Sequence, residues 1–165
     1  MAKIVDLDFP DYHAVVENYH SESDRAAAVL AGSYLENQLG LFIKSVTAED
    51  KNKNEWFAAN GPFATFDQRI TAAYAFKLIP EYVKNNFNNI RDIRNRFAHH
   101  PTVIDFDDNL ITDRINKLNV PDNRIPELPI SKRDKYLLAI SLAVSAMQSY
   151  INKRKKANDD APSKP

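Results

Sequence analysis

The sequence contains no cysteine. That excludes a disulfide scaffold, a thiolate zinc site and a cysteine nucleophile. Glycine is nearly as scarce, at three residues in 165. Gly32, Gly40 and Gly61 stand too far apart for a dinucleotide fingerprint or a phosphate-cradling loop, which need several glycines within a few positions. No apolar run approaches the roughly 18–20 residues that cross a bilayer. The first nine residues hold Asp6 and Asp8 where a signal peptide would be apolar. These absences make a cytoplasmic protein without a membrane partner the expectation, and its size and style are those of a bacterial protein. An excess of one charge is missing too, since 22 basic residues balance 22 acidic ones. A neutral chain has no overall pull on nucleic acid, so such binding would need a local patch.

What is present is helical. Apolar residues make up 44% and charged residues 27%, enough for a folded core and against general disorder. Scarce glycine and few strand-like runs favour helices. The fold class expected is a single all-α domain over residues 1–152, a bundle of six to seven helices. A charged tail over 153–165 has almost no large apolar side chains and is expected to be disordered.

A short helix is predicted from about Pro10 to Tyr19. The next runs from a cap at Ser21 or Ser23 to about Val46, apolar around most of its circumference and therefore central. Ala48–Ala59 reads as a short helix ended by Asn60-Gly61-Pro62. Thr65–Lys77 follows, with Phe66, Ile70, Ala73 and Tyr74 on one face. Pro80 opens a helix that must end at His99 or His100, because Pro101 disfavours helix at the residue before it. Asp107 or Asp108 is expected to cap a helix over Leu110–Leu118. Pro121, Pro126 and Pro129 make residues 119–130 a loop. Ser131 and Asp134 resemble a capping box for a last helix from about Lys132 to Asn152.

The informative stretch is Ile90-Arg91-Asp92-Ile93-Arg94-Asn95-Arg96-Phe97-Ala98-His99-His100-Pro101. In the stripe Val83, Phe87, Ile90, Arg94, Phe97, apolar residues stand above and below Arg94. A guanidinium there is costly unless it is paired, reaches out to water or faces a cleft. Five residues separate side chains by about 140° on a straight helix, so Arg94 and His99 converge only if the helix loosens near Pro101. Two readings follow. In one, Arg94 and His99 are catalytic with Asn95 supporting. A histidine moves protons near neutrality and the arginine fork holds the crowded phosphorane of metal-free RNA cleavage. In the other, Arg94 pairs with a carboxylate from a neighbouring helix and His99 favours the negative end of its own helix. Arg91, Arg94, Arg96 and His100 are the candidate binding residues.

Arg94-Asn95-x-x-x-His99 resembles the Arg-polar-x-x-x-His motif of the HEPN superfamily. That resemblance implies an all-α bundle, often dimeric, and in many members a metal-independent ribonuclease. A longer pattern resembles the mannitol operon repressor family. It runs from Ala26-Ala27-Ala28-Val29-Leu30 and Leu35-Glu36 through Gly61-Pro62-Phe63-Ala64-Thr65-Phe66, Arg69-Ile70-x-x-Ala73-Tyr74 and Leu78-Ile79. It ends at Ile90-x-x-Ile93-Arg94-Asn95-x-Phe97-Ala98-His99 and covers roughly residues 22–106. It implies an all-α transcriptional regulator that works through a protein partner. The chain is expected to be a homodimer and to carry no cofactor. The chain departs from that family at Lys77, where glycine is common before the Leu-Ile corner. The ribonuclease, acting on RNA at a dimer interface, is the alternative.

Direct, sequence-specific DNA binding is not expected. Arg91, Arg94 and Arg96 cluster, but Asp92 intervenes and no recognition helix stands out. The Lys153-Arg154-Lys155-Lys156 run reads as a solvated face. No metal is expected: His99 and His100 point apart on a helix, and His13 and His20 have no carboxylate to complete a set. Trp56, Phe57 and Phe63 read as satellite core or, alternatively, as a partner surface. Glu36, opposite the main apolar stripe of its helix, is expected to be exposed, with pairing to Arg94 as the lesser alternative.

Overall fold

The computed structural model describes Tyr19 and residues 21–121 and 130–159, with side chains to Ala157. The helix expected over residues 10–19 lies outside these except for Tyr19, as do His13 and His20. Among the described residues the order is α1 (Asp24–Val46), a 3-10 turn (Glu55–Phe57), α2 (Phe66–Ala75), α3 (Glu81–His99), α4 (Asn109–Asn116) and α5 (Lys132–Asp159). There is no strand among them, so the fold is all-α as expected.

α1 is the central helix and packs against α5, α3 and α2. It starts where Ser23 Oγ accepts the Ala26 N–H at 3.2 Å, with Asp24 in the first turn. Its small residues Ala27, Ala28 and Ala31 let neighbours approach closely, while Leu35, Leu39 and Ile43 fill the core. α2 opens with a full capping box between Thr65 and Gln68. α3 starts after Pro80, buries Phe87, Ile90, Ile93 and Phe97, and stops at His99, before Pro101. Asp108 caps α4 by accepting from the N–H groups of Leu110 and Ile111. α5 lays Tyr136, Ile140, Val144 and Met147 into the core.

Three expectations are corrected. Residues 48–59 do not form a helix beyond the turn Glu55–Phe57. The Asp50 carboxylate accepts from the Asn52 N–H at 2.7 Å, a local bond that competes with helix. Tyr74 lies exposed rather than inward, because α2 ends at Ala75 and its last turn passes the edge of the bundle. α5 continues past Asn152 to Asp159. The apolar part of its buried face ends at Ile151, and Asn152 to Ala157 extend into solvent.

Candidate functional site

The site grows from α1. Two of the three glycines lie in this helix, two turns apart, with Glu36 midway between them. A mid-helix glycine costs helix propensity of about 1 kcal/mol, so a close neighbour is the usual reason for it. Here the neighbours are two arginines. A Cβ on Gly32 would stand 2.8 Å from both Cβ and Cγ of Arg94 and 3.0 Å from the Tyr136 hydroxyl. A Cβ on Gly40 would stand 3.2 Å from Nη1 of Arg69. The glycines are notches through which α3 and α2 deliver their arginines to the Glu36 side of α1.

Arg94 is consumed by this arrangement. Nη2 donates to the Glu36 carboxylate and Nη1 to Asn95 Oδ1 at 3.0 Å. Nε is buried without a hydrogen-bond partner among the described residues. The guanidinium lies 5.9 Å from the centre of the Phe66 ring. Side-chain exposure is 20% for Arg94 and 21% for Glu36, so the pair is neither sealed nor open. The expectation of an exposed Glu36 is thereby corrected. The residue is partly buried because Gly32 and Gly40 draw two cations onto its side of the helix.

Arg69 is the second arm. Nε donates to the Phe63 carbonyl at 2.9 Å and Nη1 to the Glu36 carbonyl at 3.0 Å. Burial pushes this guanidinium below its ordinary range, and the Glu36 charge opposes that. Arg69 ties the Gly61–Phe63 corner to α1, and Phe57 packs on Phe63 at 5.3 Å between ring centres.

The other sequence-flagged residues spread out from this seam. Arg91 pairs with Asp67 of α2 and with Asp92 at 3.0 Å. Arg96 pairs with Asp108 at 2.9 Å, which holds that carboxyl below the usual range. Each arginine of the cluster thus has a carboxylate, and the basic patch is locally neutralised. Asn95 accepts from Arg94. His99 is exposed in the last turn of α3. The carbonyl of His100 accepts from Arg25 at 2.9 Å, while its ring lies 3.2 Å from the Thr102 hydroxyl. Among the described residues no group of three His, Asp or Glu side chains is placed to hold a metal ion. No described helix is long and apolar enough to cross a membrane.

Tyr136 closes the seam from α5. Its hydroxyl donates to the Ala28 carbonyl at 2.9 Å, and the side chain is fully buried. Burial pushes the phenol well above its ordinary range. The Arg94 charge pulls it back somewhat and Tyr19 adds to the rise. In the unfolded chain it ionises near pH 10, whereas in the folded chain it stays protonated. The unfolded state therefore binds fewer protons above about pH 10, and stability should fall there by up to about 1.4 kcal/mol per pH unit. Urea unfolding across that range should show the decline, with Tyr136→Phe flattening it. An unchanged slope in the variant would place the alkaline sensitivity elsewhere.

Sequence reading missed Arg69 and Tyr136 as members of this seam, and held Glu36 only as a lesser alternative partner of Arg94. One signal was available: two glycines in one long helix of a glycine-poor chain.

No protein-family model and no curated protein matches the chain. Its fold is similar to that in a solved structure, the MtlR–HPr complex from Escherichia coli, with a TM-score of 0.64 and 14% sequence identity. The match covers 82% of this chain and 97% of that one. At that identity the likeness is one of architecture, and the chain has an MtlR-like helical fold.

Proposed function

We propose that this protein is a transcriptional regulator of the mannitol operon repressor kind, which acts by binding another protein and not by reading DNA itself. The observation that carries this reading is the fold likeness to nearly the whole length of a chain from the MtlR–HPr complex. The sequence pattern over residues 22–106 points the same way. A DNA-reading role finds little support, since Arg91, Arg94 and Arg96 are each held by a carboxylate and the chain has no net charge. The partner proposed is a protein of the HPr kind.

The ribonuclease alternative has less support. A phosphorane-binding fork must be free to turn to its ligand, but Arg94 already spends Nη2 on Glu36 and Nη1 on Asn95. The two readings part in one pair of measurements. Titration calorimetry with purified HPr should show a saturable complex, and incubation with RNA at neutral pH should leave the RNA intact. Absence of any HPr complex would overturn the proposed partner. RNA cleavage that is lost in His99→Ala with the fold retained would restore the enzyme.

A further inference from the structure

A neutral chain holds nucleic acid only through a local patch, and α5 ends in one. No acidic residue occurs in α5 between Asp134 and Asp159. Lys153, Arg154, Lys155 and Lys156 follow Ile151, the last buried residue of the helix, and all four are exposed. None of them has an ion pair or a hydrogen bond among the described residues. They differ in this from Arg91, Arg94, Arg96, Arg114 and Arg133, each of which is held by a carboxylate. The longest run of positive charge in the sequence is thus one that the fold leaves unspent.

The run is helical, and that sets its shape. Successive residues of an α-helix turn by about 100°, so four in a row spread their charges over about 300° of the circumference. A flat anionic surface, whether a bilayer or an acidic patch on a protein, engages one side of a helix and favours cations at steps of three and four. Residues 152–157 also hold no large apolar side chain, which lipid or the core of a protein interface would need. Cations facing all round suit an occupant that encloses the helix in negative charge. The major groove of B-DNA does so, since it is about 12 Å wide, admits one α-helix and has phosphates along both walls. Residues 152–159 supply about two turns of helix, a rise of about 12 Å, to lie in it. The major groove of A-form RNA is deep and narrow, which closes this route.

We propose that residues 153–156 bind duplex DNA through its phosphates, without regard to sequence. Like charges three apart, Lys153 and Lys156, disfavour the helix that carries them. Their place at its C-terminal end, the negative end of the dipole, offsets part of this, and phosphates in the groove would remove the rest. The helix already holds the four side chains in position, so little ordering is left to binding. Contacts to phosphate position a protein but read no bases. The inference therefore gives the chain a hold on DNA without making it a sequence reader, and it does not depend on the HPr complex.

The test is the fluorescence anisotropy of a labelled duplex of about 20 base pairs and arbitrary sequence, titrated with the full chain up to several hundred micromolar. At about 50 mM salt the duplex should bind. Four contacts give a slope of log affinity against log salt of about −3.6, a loss of about 100-fold between about 50 and 200 mM. Changing all four residues to glutamine, a good helix former, should weaken binding at least about tenfold, with helicity and thermal unfolding unchanged. Lys155→Gln alone should make the slope shallower by about 0.9. A duplex that stays free at about 50 mM salt overturns the inference, as does binding that the fourfold variant retains. A single strand of the same sequence that binds as tightly as the duplex overturns the groove as the site's occupant. Duplex binding without any HPr complex would leave this inference standing and remove only the proposed protein partner.

Discussion

Glu36→Ala is expected to lower the stability of the fold by about 2–3 kcal/mol. Stranding one charge of a fully buried pair costs about 3–5 kcal/mol. Exposure of roughly a fifth of each side chain allows some water to take over, which reduces the figure. The loss spreads beyond Arg94, because the same carboxylate offsets the burial of Arg69. Replacing both partners by apolar residues of similar size, Glu36→Leu with Arg94→Met, should recover the share of the loss that comes from Arg94, since its desolvation cost disappears with the charges, while the share carried by Arg69 remains. Urea unfolding measures both variants. If Glu36→Ala changes stability by less than about 0.5 kcal/mol, the ion pair is not what holds Arg94. The guanidinium would then be free to serve a ligand, and the ribonuclease reading would gain what the proposed regulator loses.

Gly32→Ala is the second large effect. On helix propensity alone the substitution should stabilise α1 by about 1 kcal/mol. The new methyl would meet Cβ and Cγ of Arg94 at 2.8 Å, closer than such atoms pack. These atoms are the root of the side chain, not its flexible end, so relief requires α3 to move away from α1. Overpacking of this kind costs about 1–3 kcal/mol, which outweighs the propensity gain. The same movement withdraws Arg94 from Glu36 and presses on the Tyr136 hydroxyl. Gly32→Val should be worse, since two further carbons deepen the overlap. A Gly32→Ala protein as stable as the wild type would show that the helices do not approach so closely in solution.

These two substitutions bear on how far the sequence could be read. The stop at Pro101, the cap at Asp107 or Asp108, the helix start near Thr65 and the long apolar α1 are all local or periodic signals, and each element formed within a residue or two of where they placed it. Residues 48–59 were misread because a short segment has little cooperativity, and one Asp50 side-chain bond is enough to divert it. Tyr74 was misread because a helix wheel assigns a face but not where the neighbouring helix ends.

The seam shows the same division. Arg94 was legible as an anomaly, because one charged residue in an apolar stripe demands an explanation. Its partner was readable only as a lesser alternative, because Glu36 lies 58 residues away on another helix. The Gly32 and Gly40 notches also acquire their meaning only when α3 and α2 cross α1 at those heights.

By itself the sequence determined the helical class, the caps, the stops and the presence of one cation that had to be neutralised, since these depend on neighbours within a turn or two. Only the tertiary structure decided which carboxylate neutralises it, and that Arg91 and Arg96 are spent in the same way. Those outcomes depend on the crossing of helices distant in sequence, and helical periodicity alone does not specify which helices meet or at what height.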